Sequence, residues 1–208
     1  MPRVDDYKLS YDLAARELVT MDFAAVAARA GATPGEDGRS LFLDYYGRTL
    51  RVDQGAEAIS LAHLDGGPEL PLAEQALVLH YLARADGAQP AGEWITFREV
   101  ESGEFYWSAF VKRAKAPLVG FFGERPQLLK DLAPLVGGRE GGGTGDASVI
   151  VRAFPNVEFL LVLWAGDDEF PADGNVLMDK TIGHYLNTED VALAAGLPIY
   201  KMMALARR

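Results

Sequence analysis

The amino-acid sequence predicts an α+β domain in which a mixed, mainly antiparallel sheet packs against several helices. Two pairs of apolar runs, Leu41–Tyr46 with Thr49–Val52 and Ser148–Phe154 with Val157–Trp164, are each separated by only two residues, a spacing that suits antiparallel hairpins. Alanine- and leucine-rich segments with recognisable caps lie at the start, in the middle and near the end of the chain. The 208 residues are 49% hydrophobic and 24% charged, which suits one sizeable core in a single domain over 1–208.

Tyr7–Val19 and Phe23–Ala30 read as two helices, the second opened by Asp22 as N-cap and closed by Gly31. After the turn residues Pro34-Gly35 and Gly38 comes the first hairpin, whose connection is expected at Gly47-Arg48, and Glu57–Leu64 follows as a third strand. From Pro71 to Ala85, Leu72, Ala76, Leu79 and Ala83 recur at helical spacing, and Gly87 suits the end. Leu77, Val78, Tyr81 and Leu82 make this helix apolar nearly all round, so it should be central and buried.

Glu93–Val100 reads as a strand with Ile95 and Phe97 on one face. Phe105–Phe122 reads as a helix that must break near Pro117, and Pro126–Val136 as a short helix. The glycine-rich stretch 137–145 is expected as a flexible loop. In the second hairpin Val157–Trp164 is apolar almost throughout, as a strand covered on both faces should be. Asn175–Asp179 adds a strand, and Thr188 is expected to cap a helix over Glu189–Ala195 that Gly196 stops.

Charge and composition exclude several functions. Twenty basic against thirty acidic residues give a net charge of −10, a mean field that repels nucleic acid and anionic membrane surfaces. The closing Arg207-Arg208 reads as favourable charge at a helix C-terminus. With no cysteine, disulfides, thiolate metal sites and a cysteine nucleophile are all excluded. Residues 1–6 carry no apolar signal core, and the longest apolar run, Phe159–Ala165, is far short of the roughly 20 residues a spanning helix needs, so the expected location is the cytoplasm.

Chemistry concentrates where Leu160–Ala165 runs into Asp167-Asp-Glu169, with Asp173 and Asp179 nearby. Asp168, Glu169 and Asp179 are the candidate ligands of a divalent cation, although their spacing matches no calcium loop. The alternative is that such acids solvate a turn or cap helices. Glu189 and Asp190, in a first helical turn, are accounted for by the macrodipole.

Of the three histidines, His80 sits on the central helix and is either a ligand or base, or a hydrogen-bonded core residue; His63 and His184 lack companions at metal spacing. There is no Gly-x-Ser-x-Gly, and Ser108 has no assignable base. The glycine-rich stretch lacks the Gly-Lys-Ser/Thr of a phosphate loop. Aromatic residues crowd Trp94–Phe122, interleaved with Arg98, Lys112, Arg113 and Lys115. They form either core or the wall of a pocket for a flat ligand, for which Trp94, Tyr106, Trp164 and His80 are the candidates.

These segments resemble a prokaryotic family known as domain of unknown function 3786. The resemblance rests on Leu79-His-Tyr-Leu82, Gly92–Arg98, Phe105-Tyr106 with Ala109-Phe110 and Arg113, Pro117-Leu118 and Phe122-Gly123. It is densest in Leu163–Pro171, Leu177 with Asp179, and Tyr185-Leu-Asn-Thr-Glu-Asp190. It implies an origin among anaerobic bacteria and archaea. Some members carry a cysteine-rich iron–sulfur module linked to corrinoid metabolism, a pattern from which this cysteine-free chain departs. By analogy alone it points to a planar, tetrapyrrole-like ligand. No cofactor follows from the residues themselves. Three readings result: a small-molecule-binding or accessory domain, a carboxylate-dependent metal-assisted hydrolase or transferase, and a protein-interaction module without catalysis. The corresponding partners are a small-molecule ligand or another protein.

Overall fold

The computed structural model describes residues 4–207, with side chains from Tyr7 onward; Met1–Arg3 and Arg208 lie outside it. The expected helices form as α1 (Val4–Val19) and α2 (Phe23–Ala30). Asp22 caps α2 by accepting the backbone N–H groups of Ala24 and Ala25, and Gly31 closes it in the left-handed region. α1 lies against the buried central helix α3 (Leu72–Arg84), which ends at Ala85 before Gly87 is reached.

The fold is α+β, as expected, and its strands make two antiparallel sheets. The first is a meander of β1 (Thr33–Pro34), β2 (Ser40–Tyr45), β3 (Arg48–Gln54) and β4 (Ile59–His63). The second comprises β5 (Trp94–Thr96), β6 (Gly138–Glu140), β7 (Ala147–Phe154), β8 (Val157–Trp164) and β9 (Asp173–Asp179), in the order β5-β9-β8-β7-β6. The apolar strand β8 is therefore central, as its composition requires. The glycine-rich stretch, expected as a loop throughout, begins as edge strand β6 and then lies over β8: a Cβ at Gly145 would fall 3.1 Å from Val162 Cγ1.

Local chemistry explains the other departures. The expected strand 93–100 stops at Thr96 because the Glu99 carboxylate takes both the N–H and the hydroxyl of Thr96, turning Phe97–Glu99 into a 3-10 helix that buries Phe97. The helix expected to break near Pro117 does not break. α4 (Gly103–Phe110) passes through one widened π turn, Val111–Lys115, into α5 (Ala116–Phe122), and Pro117 follows directly on that turn. The helix expected over Pro126–Val136 forms as α6 (Pro126–Leu132) and tightens into a 3-10 turn over Ala133–Val136.

The last helix, α7 (Thr188–Leu205), is capped by Asn187, not Thr188, and runs straight past Gly196 and Pro198. Arg207 lies beyond its last turn and Arg208 outside the described residues. Gly196 is a packing residue and not a stop: a Cβ there would sit 2.4 Å from the carbonyl oxygen of Arg113 in the π turn. Pro198 has no N–H for the Ala194 carbonyl four residues back, and the buried Tyr46 hydroxyl donates to that oxygen instead, at 2.6 Å.

Tyr46 is in the hairpin connection, which is Tyr46-Gly47, one residue earlier than expected. Both residues have positive φ, 47° and 75°. Gly47 abuts Gly137 so closely that a Cβ on it would meet the Gly137 nitrogen at 2.6 Å, and the Tyr46 N–H donates to Ala153 of β7. One turn thus joins the first sheet, the second sheet and α7, and the buried side chains form a single connected core. Within it Tyr81 stacks on Phe154, with ring centroids 4.1 Å apart, and donates its hydroxyl to Ala30. Replacing Tyr46 by Phe removes the hydroxyl that donates to the Ala194 oxygen. Stability should fall by about 1–3 kcal/mol, seen as a lower urea midpoint at unchanged m-value.

Candidate functional site

Three helices each contribute one polar residue to a common point. On α1, Ser10 shares its face with the buried Ala14 and Leu18; on α3, His80 follows the buried Ala76; on α7, Asp190 precedes Leu193 and Leu197. His80 stands between the other two. Its Nδ1 is 2.8 Å from Asp190 Oδ2 and its Nε2 is 2.9 Å from Ser10 Oγ. Asp190 is only 6% exposed, and its backbone N–H is held by the Asn187 cap.

The proton arrangement follows from the partners. A carboxylate can only accept, so Nδ1 carries the hydrogen, and in the neutral ring Nε2 is left to accept from the Ser10 hydroxyl. Burial by itself disfavours the imidazolium. The Asp190 hydrogen bond and charge, helped by the Ser10 backbone carbonyl, outweigh burial and the repulsion from Arg84, so the His80 pKa is raised above the ordinary histidine value.

A small cavity of about 90 Å³, lined by Tyr7, Ser10, Ala73, His80, Asp190 and Leu193, opens on this centre. Tyr7, Ala73 and Leu193 also belong to an adjoining, mainly apolar slot of about 290 Å³ walled by Leu197, Tyr200, Gly196 and Arg113. On the other side, Asn187 and Glu189 are shared with a polar cleft that contains Tyr106, Arg84 and Thr188. Glu189 faces Arg113 at 3.8 Å. The three hollows line up along the N-terminal half of α7.

Of the sequence-derived candidates, His80 and Tyr106 thus belong to adjacent clefts, and the others lie elsewhere. Trp94 is at the edge of the second sheet, opposite Asp179, while the 42%-exposed Trp164 pairs with Asp173 at the other end of β9. Those ends are six residues apart, about 20 Å, so Trp94 and Trp164 cannot wall one pocket. The acidic residues divide in the same way. Asp168 and Glu169 are exposed in the loop after Trp164, where Asp167 accepts the N–H groups of Glu169 and Phe170.

Asp179, at the far end, accepts from the N–H groups of Ala91, Gly92 and Thr181 and from the Thr181 hydroxyl. Burial pushes its pKa upward, but these donors prevail and hold it below the usual aspartate value. Asp168, Glu169 and Asp179 therefore do not converge on one cation, and no group of three or more histidine or acidic residues among the described residues is placed to hold one.

A second polar cluster escapes sequence reasoning as well. The buried Glu74 accepts from the Tyr45 hydroxyl at 2.7 Å and from Lys201 at 2.8 Å, beside a cavity of about 270 Å³ where His63 Nδ1 is buried without a hydrogen-bond partner among the described residues. Asp190, accounted for in sequence by the helix macrodipole, and Ser10, which no local signal marks, stand 110 and 70 residues from His80.

The fold and site together define an α+β domain with a Ser–His–Asp centre at the mouth of an apolar slot. The chain belongs to the family described as Domain of unknown function (DUF3786), whose model matches residues 22–201. His80 and Asp190 fall within that span; Ser10 precedes it. No curated protein and no solved structure matches the chain. No helix among the described residues is long and apolar enough to cross a membrane.

Because its folded pKa is raised, His80 contributes stability that is fully present below the ordinary value of about 6.5 and is lost as pH rises through the folded value. Titration of the His80 ring followed by NMR should show the raised midpoint in the native chain. Asp190→Asn, which leaves burial as the largest influence, should bring the midpoint below the ordinary value.

Proposed function

We propose that this chain is a small-molecule-binding domain whose ligand lies along the N-terminal half of α7. Its polar head meets Ser10, His80 and Asp190, and its apolar part fills the slot between Leu193, Leu197 and Tyr200. The observation that carries this reading is continuity: the hydrogen-bonding centre and the apolar slot share Tyr7, Ala73 and Leu193. A concave apolar surface with a few convergent polar groups, one with a perturbed pKa, is what ligand sites offer.

The dimensions favour a compact ligand over the tetrapyrrole suggested by the family resemblance. The slot, at about 290 Å³, is at the lower end of sites for drug-sized molecules, roughly 300–1,000 Å³. Both His80 nitrogens are engaged, so binding a metal centre axially would require breaking the Ser10 contact.

Octanamide, with one carbonyl head and a short apolar tail, is a suitable probe. At about 100 times its Kd it should raise the melting temperature by roughly 5–10 °C, and Leu193→Trp, which fills the slot, should abolish the shift while leaving the unliganded chain folded. An equal shift in Leu193→Trp would remove the site from this groove.

A further inference from the structure

When its ring is neutral, His80, donating from Nδ1 to Asp190, turns Nε2 toward a serine hydroxyl 2.9 Å away. That is the relation a nucleophile, its base and the orienting acid must have. The hydroxyl also borders a cavity that leads into an apolar slot. We propose that Ser10 is an acyl-accepting nucleophile, and that the groove takes compact esters or thioesters with a short apolar acyl group. This rests on the reading of the α7 groove as a ligand site and adds a reaction to it.

The reaction needs no partner beyond water. Ser10 Oγ bonds to the acyl carbon as its proton passes to His80 Nε2, and Asp190 stabilises the imidazolium. The adduct collapses, the bond from the acyl carbon to the leaving oxygen or sulfur breaks, and Nε2 returns the proton to the departing group. Water then repeats the sequence. Its oxygen bonds to the acyl carbon, its proton goes to Nε2, and Ser10 Oγ leaves and recovers that proton.

Developing negative charge on the carbonyl oxygen would arise beside Asn187. The Asn187 Oδ1 is committed to the Asp190 N–H, so what the side chain can offer is its Nδ2 amide. The nearby Glu189 carboxylate opposes such charge, and Arg113 at 3.8 Å offsets it. In the slot, Leu193, Leu197 and Tyr200 supply the apolar wall for the acyl chain. Ser10 and His80 are the catalytic residues of this scheme, and Asp190 is a positioning residue. Ser10 lies before the span matched by the family model, so the family match carries no information about the nucleophile.

The test treats the purified chain with an alkyl fluorophosphonate and, separately, with p-nitrophenyl butyrate, and maps any adduct by peptide mass. One adduct on Ser10 is expected. Ser10→Ala, a substitution that a helix interior tolerates, should abolish both labelling and turnover, with unchanged circular dichroism. Turnover should rise with pH through the His80 titration, and Asp190→Asn should displace that profile to lower pH while slowing it. No adduct on the wild-type chain, an adduct at another residue, or undiminished turnover in Ser10→Ala would each overturn the inference. Octanamide binding separates the two readings: a chain that binds it but takes no adduct loses the acyl step alone, and a chain that does neither loses both.

Discussion

Pro198 leaves the Ala194 carbonyl without its helical donor, and the hydroxyl of Tyr46 reaches across from a hairpin turn to supply one. An unsatisfied buried carbonyl would cost about as much as a lost hydrogen bond, so α7 can pass through Pro198 only where that turn is docked. The docking in turn needs Gly47 against Gly137 and the Tyr46 N–H on β7. One turn therefore fixes where α7 lies relative to both sheets, and the N-terminal half of α7 is the wall along which all three hollows lie.

The polar centre has its own constraint. A carboxylate as buried as Asp190 is tolerated only when paired, and the partner supplied is a histidine that is also partly buried. Pairing solves the solvation problem of Asp190 and at the same time fixes the tautomer of the ring. The remaining nitrogen then needs a donor, which Ser10 supplies from α1. A chain of hydrogen bonds that links one buried carboxylate to two half-buried groups thereby leaves a hydroxyl at the rim of a cavity. The Glu74–Tyr45–Lys201 cluster obeys the same rule at the other end of α7, where the carboxylate is matched directly by an ammonium.

Most of the fold was legible because local signals are strong where elements begin and pair. The Asp22 cap, the short hairpin connections and the uninterrupted apolar run of β8 each act within a few residues. What was misread depends on partners distant in sequence. Gly196 and Pro198 look like terminators until Arg113 and Tyr46 are placed beside them, and Pro117 looks like a break until the π turn absorbs it. The site was legible only in part. His80 stood out as a lone polar residue on an apolar helix, but helix-dipole reasoning explained Asp190 too readily, and nothing near Ser10 announced a base. The acids after Trp164 drew notice by local density, yet the sheet carries Asp168 and Glu169 to one end and Asp179 to the other.

The account turns on Asp190 dictating which nitrogen of His80 holds its proton. Long-range proton–nitrogen NMR correlation on the ring, recorded above its titration midpoint, reads this directly. A neutral ring protonated at Nδ1, with Nε2 bare and facing Ser10, is the predicted result. A ring protonated at Nε2 would contradict it, because Asp190 would then lack its donor and the Ser10 hydroxyl its acceptor.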